Sequence, residues 1–71
     1  MQHLTYQIIN VRPSTTRGWW DVRYGDASTY SVTSPSKEKA LEIANLWARK
    51  FQPAKIMVWY GSDLTEEVVI K

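Results

Sequence analysis

The chain of 71 residues is 44% hydrophobic and carries nine Lys and Arg against seven Asp and Glu, a formal net charge of +2. A chain this short buries only about 60% of the surface its unfolded form exposes, which allows one small core and leaves no room for a second domain or a deep cofactor cleft. It has no cysteine, which excludes a disulfide framework, a thiolate metal site and a cysteine nucleophile; secreted domains of this size ordinarily need such staples, so a cytoplasmic setting is expected.

The first residues, Met1 to Thr5, lack a basic stretch followed by an apolar run, and no segment approaches the roughly 20 apolar residues of a membrane span. Neither export by signal peptide nor membrane insertion is expected. From Leu4 to Val11 the residues suit a pleated surface, and Pro13 is expected to end this first strand by removing a ladder donor. The polar stretch Pro13 to Gly18 reads as a hairpin loop. A second strand starts at Trp19, with Trp20, Val22 and Tyr24 on one face and Trp19, Asp21 and Arg23 on the other. The first set is expected to face the core.

Gly25-Asp26-Ala27 is a turn, and Ser28 to Thr33 alternates again with Tyr30 and Val32 opposed to hydroxyl residues, a third strand solvated on one side. In Ser34-Pro35-Ser36 either serine fits the cap of a following helix. Between Lys37 and Phe51 the apolar stripe Ala40, Ile43, Ala44, Trp47, Ala48 and Phe51 predicts an amphipathic helix that Gln52-Pro53 terminates. Lys37 and Lys39 stand at the unfavourable end of its macrodipole, so packing must supply most of its stability. Ala54 to Tyr60 is a strand apolar on both faces and therefore central, with Ile56, Val58 and Tyr60 opposed to Lys55, Met57 and Trp59. Gly61-Ser62-Asp63 turns the chain into a last, charged edge strand, Thr65 to Ile70.

Residues that carry chemistry are few. His3 is the sole histidine and lies near a terminus, without partners for a metal site or acid/base pair. The glycines 18, 25 and 61 are isolated turn residues, which excludes a phosphate loop. Asp26 and Asp63 read as turn residues, and Glu66 and Glu67 point to opposite faces of a strand, so paired catalytic carboxylates are not expected. No cofactor, no metal and no enzyme activity are expected. The distinctive feature is four Trp and four Tyr, more than one small core can hide. With Trp20, Tyr24, Trp47 and Tyr60 inward, Trp19 and Trp59 fall on an open sheet surface beside Arg23 and Lys55. Aromatics interleaved with cations suit base stacking and phosphate pairing. The same aromatics also suit packing against each other or a homodimer interface.

Gly18-Trp19-Trp20-Asp21-Val22-Arg23, Ser36-Lys37-Glu38-Lys39-Ala40 and Ile56 to Asp63 together resemble a family of small bacterial and phage-associated proteins of unknown function, in which a Gly-Trp-x-Val-x strand precedes a Ser- or Thr-capped helix and a closing hairpin. That resemblance implies no catalytic residues. Three strands followed by a helix also resemble the arm-type DNA-binding domain of phage integrases, which implies Arg12, Arg17, Trp19 and Arg23 as base or phosphate contacts. The expectation is thus a single α+β domain over residues 1–71, an antiparallel or mixed five-stranded sheet with one helix on one face in the order β-β-β-α-β-β. Its expected role is that of a small DNA-binding module using Arg12, Arg17, Trp19, Arg23, Lys55 and Trp59. The alternative is a protein-interaction or homodimeric accessory or inhibitor protein.

Overall fold

Strand-forming runs with two distinct faces need one partner layer, and a single amphipathic helix supplies one such layer only. The computed structural model describes residues 5–25 and 31–71. Its elements in chain order are β1 (Gln7–Pro13), β2 (Trp20–Tyr24), β3 (Ser31–Ser34), α1 (Lys37–Lys50), β4 (Ala54–Tyr60) and β5 (Asp63–Ile70). The strands make one mixed sheet in the order β3-β2-β1-β4-β5. β1 and β4 run parallel and the other neighbours antiparallel. A parallel neighbour can be reached only by a crossover, and α1 is that crossover, carrying the chain from β3 back over the sheet to the far side of β1. This is the expected α+β architecture, with the sheet mixed.

Register fixes which side chains meet the helix. Ile9 lies between Tyr24 and Ile56, and Val11 between Val22 and Val58. Ile9, Val11, Val22, Ile56 and Val58 are the largest fully buried side chains, all β-branched residues that fit a pleated surface. Against them α1 sets Ala40, Ala44 and Ala48, each with no exposed surface. Their spacing of four keeps them on one side of the helix, and their small size lets its backbone approach the sheet closely. Leu41, Ile43 and Trp47 flank this seam, half-buried.

Each end of the layer is closed by aromatics. At the start of α1, Ser36 is the cap, its Oγ accepting from the Lys39 N–H at 3.2 Å. Lys37 stands over the Trp20 ring at 5.7 Å and reaches Glu66 of β5 at 3.6 Å. These contacts hold a cation at the end of the helix that the macrodipole disfavours. At the other end Phe51 meets Tyr24 edge-on, ring centroids 4.8 Å apart, and the Tyr24 hydroxyl donates to Gln7 Oε1 at 2.8 Å.

Several sequence expectations shift. β1 runs on through Pro13, because the N–H of Ser14 already points to Trp19 on the β2 side. The position of the missing Pro13 donor therefore faces the β4 side, where pairing has ended at Val11. β2 begins at Trp20, not Trp19. β3 extends to Ser34, which is buried in the strand instead of capping the helix; Asp26, Tyr30 and the rest of residues 26–30, like His3 and Leu4, lie outside the described residues. Tyr60 is not a core residue: it is 67% exposed at the end of β4, beyond the last β1 partner, with its ring 6.4 Å from that of Trp20. Asp63 belongs to β5 and pairs with Tyr60, so the turn is Gly61-Ser62 alone, with Gly61 at φ +67° as a two-residue hairpin turn favours.

Ile56→Ala should lower the free energy of unfolding by about 2 to 5 kcal/mol and Ala44→Leu by about 1 to 3 kcal/mol, the first by a cavity and the second by overpacking. Leu46→Ala, at a position 69% exposed on α1, should change it by less than about 0.5 kcal/mol. Urea denaturation followed by circular dichroism measures all three.

Candidate functional site

The side of the sheet away from α1 carries no covering element among the described residues. Strand alternation and register place Ile8, Asn10 and Arg12 of β1 on it, with Asp21 and Arg23 of β2, Ser31 and Thr33 of β3, Lys55, Met57 and Trp59 of β4, and Glu67 and Val69 of β5. Ile8, Asn10, Met57 and Trp59 form its half-buried centre, and Arg12 and Arg23 are exposed beside it.

Trp59 is fixed by a hydrogen bond. Its indole Nε1–H donates to Asn10 Oδ1 at 2.9 Å. The register partner of Asn10 on β4 is Met57, two residues before Trp59. To reach Asn10 the indole must lean back along β4 and across towards β1, so it lies over the sheet instead of standing away from it. The Trp59 side chain is half-buried there. The bond also removes the rotamer freedom that an outward aromatic would otherwise lose on meeting a ligand.

The charges of this face are arranged unequally. Asp21 accepts from the Thr33 hydroxyl at 3.0 Å, and Glu67 pairs with Lys55 at 3.7 Å. Lys55 also stands over the Tyr6 ring at 5.0 Å. Arg12 and Arg23 form no ion pair among the described residues. Both guanidinium groups are thus outside any ion pair, and Asp21, the cross-strand partner of Arg12, keeps its charge because its Thr33 partner is neutral.

Of the residues expected from sequence, the fold brings Arg12, Arg23, Lys55 and Trp59 onto this one face. Arg17 and Trp19 are not part of it in the same sense. They sit in the β1–β2 loop, closed by Ser14 N–H to Trp19 carbonyl at 2.8 Å and Trp19 N–H to Thr16 carbonyl at 3.0 Å. Both are exposed, Trp19 by 41%, at the edge next to Arg12 and Asp21. Asn10 and Tyr6 were not expected. The alternation that puts Arg12 on the open face also puts positions 6, 8 and 10 there, but only the β1–β4 pairing shows that Asn10 meets Trp59.

Among the described residues no group of three or more His, Asp and Glu side chains is placed to hold a metal ion, and no buried side-chain nitrogen or oxygen lacks a partner. A depression on the outer side of α1 is lined by Glu42, Asn45, Leu46 and Arg49, which are simply neighbours on one helix surface. Among the described residues no helix is long and apolar enough to cross a membrane. No protein-family model, curated protein or solved structure matches the chain.

The Trp59 indole N–H should exchange with solvent more slowly than that of Trp19, and Asn10→Ala should abolish the difference while costing about 1 kcal/mol of stability. Hydrogen exchange of the indole resonances by two-dimensional NMR checks this.

Proposed function

We propose that the protein is a non-catalytic module that binds single-stranded nucleic acid on the open face of its sheet. The observation that carries this reading is the half-buried Trp59 indole, tied by Asn10 on the same sheet face as two guanidinium groups that form no ion pair. A fixed π face offers a base a stacking surface irrespective of sequence, and such stacking contributes about 1 to 3 kcal/mol per base. Arg12 and Arg23 lie on the β1–β2 side of that indole, where a backbone passing across the strands would place its phosphates. Arg17 and Trp19, in the loop at the same edge, extend the cationic and aromatic surface.

A single strand suits this face better than a duplex. Bases in a duplex already stack on each other, so their faces are not offered to Trp59, and readout passes to groove edges instead. Asp21 and Glu67 also share the face, and a dense double row of phosphates would be repelled by them. A flexible strand can route its phosphates past Arg12 and Arg23 and avoid both carboxylates. DNA is the probe of choice here, since the reading rests on base stacking and phosphate pairing and assigns no contact to a 2′-hydroxyl.

Fluorescence anisotropy of a labelled oligothymidylate of about 15 nucleotides, within the range of site sizes for such faces, tests the reading. Binding should weaken with rising salt. Trp59→Ala should reduce affinity by about 1 to 3 kcal/mol, and Arg12→Ala and Arg23→Ala should each flatten the log–log salt dependence by about 0.7. Salt-independent binding, or affinity unchanged in Trp59→Ala, would contradict it.

A further inference from the structure

The two edges of the sheet are unlike. β3 is four residues long, and three of those are Ser or Thr. β5 is eight residues long and exposed over nearly its whole length. Its first half carries devices that discourage edge pairing: the carboxylates Asp63, Glu66 and Glu67, and a bulge. Trp59 pairs with Leu64 and Val58 with Glu66, which makes Thr65 the extra residue, its hydroxyl donating to the Val58 carbonyl at 3.1 Å. The second half, Val68-Val69-Ile70, has none of these. Val68 is 40% exposed on the helix side and Val69 45% exposed on the open side, so apolar surface flanks the free backbone edge on both faces.

We propose that the second half of β5 pairs antiparallel with the same segment of a second copy, joining two sheets about a two-fold axis that passes beside Val69. Closed two-fold dimers are the commonest homo-oligomers, and an isologous edge contact is self-limiting. The axis must be normal to the sheet for the ladder to continue. Opposed residues then share a face, and only a few registers remain. Centred on Glu67, the pairing sets Glu67 against Glu67. Centred on Val68, it sets Val68 against Val68 but also Glu67 against Val69 and Glu66 against Ile70. Centred on Val69, it sets Val69 against Val69, Val68 against Ile70, and Glu67 against Lys71. That last register alone opposes apolar to apolar at every uncharged pair and anion to cation at every charged one. Lys71 is exposed, forms no ion pair among the described residues, and follows β5 directly.

The overlap spans five residues on each copy, below the area of a standard stable interface, so the dimer is reversible and concentration-dependent. It leaves both helices on one side and both open faces on the other. The inference stands on the β5 edge and does not depend on nucleic-acid binding.

The absence of cysteine makes single-cysteine variants clean reporters. In the Val69 register the two copies of position 69 lie about 4.5 to 5.5 Å apart at Cα, within disulfide reach, whereas two copies of position 68 are roughly 8 Å apart and out of reach. Under mild oxidation Val69→Cys should form a covalent dimer at least about tenfold faster than Val68→Cys. In sedimentation equilibrium the 8.3 kDa chain should approach twice its mass as concentration rises, and Lys71→Glu, which sets like charges opposite each other, should weaken association about three- to tenfold. A monomer persisting to about millimolar concentration, faster crosslinking through position 68, or mass growing beyond the dimer would overturn the proposal.

Discussion

One helix covers one side of five strands, and the rest of the molecule follows from that asymmetry. The seam of Ala40, Ala44 and Ala48 brings α1 down onto Ile9, Val11, Val22, Ile56 and Val58, and with Ala54 and Ser34 these are the buried residues among those described. A seam this narrow is centred on β1, with β2 and β4 at its sides. β5 lies largely beyond its cover, and the opposite face of all five strands is left without a layer. Apolar and aromatic side chains on that face must be stabilised in place, and hydrogen bonding of Trp59 to Asn10 does this for the largest of them.

Cross-strand pairing on the open face has an electrostatic consequence. Lys55 pairs with Glu67, whereas Thr33 hydrogen-bonds Asp21 without neutralising it, so Arg12 and Arg23 stand outside any ion pair among the described residues while Asp21, opposite Arg12, offsets part of their charge. Arg12, Arg23 and Lys55 against Asp21 and Glu67 leave this face mildly cationic. Charge count alone says little about such a protein, because the position of the uncompensated groups decides what the surface attracts.

Much of this was legible in the sequence where the pattern is local. The two faces of β2 and β4 follow from alternation, and the helix is bounded by Ser36 and Gln52-Pro53 with its alanine stripe in register. What was not legible depends on residues distant in the chain. The union of Asn10 with Trp59 needs β1 beside β4, which a parallel crossover creates and no local pattern announces. Continuation of β1 through Pro13 depends on where the β4 ladder ends, exposure of Tyr60 on the length of β4 relative to β1, and the position of Lys37 on Glu66 and Trp20 from other strands. The bulge at Thr65 likewise has no signal in Leu64-Thr65-Glu66.

The most direct test of the open-face account is a map of where a ligand lands. Amide and indole NMR shifts recorded during titration with a short single-stranded DNA should cluster at Asn10, Arg12, Arg23, Lys55 and Trp59 and fade between about 50 and 200 mM salt, the range over which phosphate contacts weaken. Shifts confined to the outer helix surface around Glu42, Leu46 and Arg49, or no shifts at low salt, would contradict it.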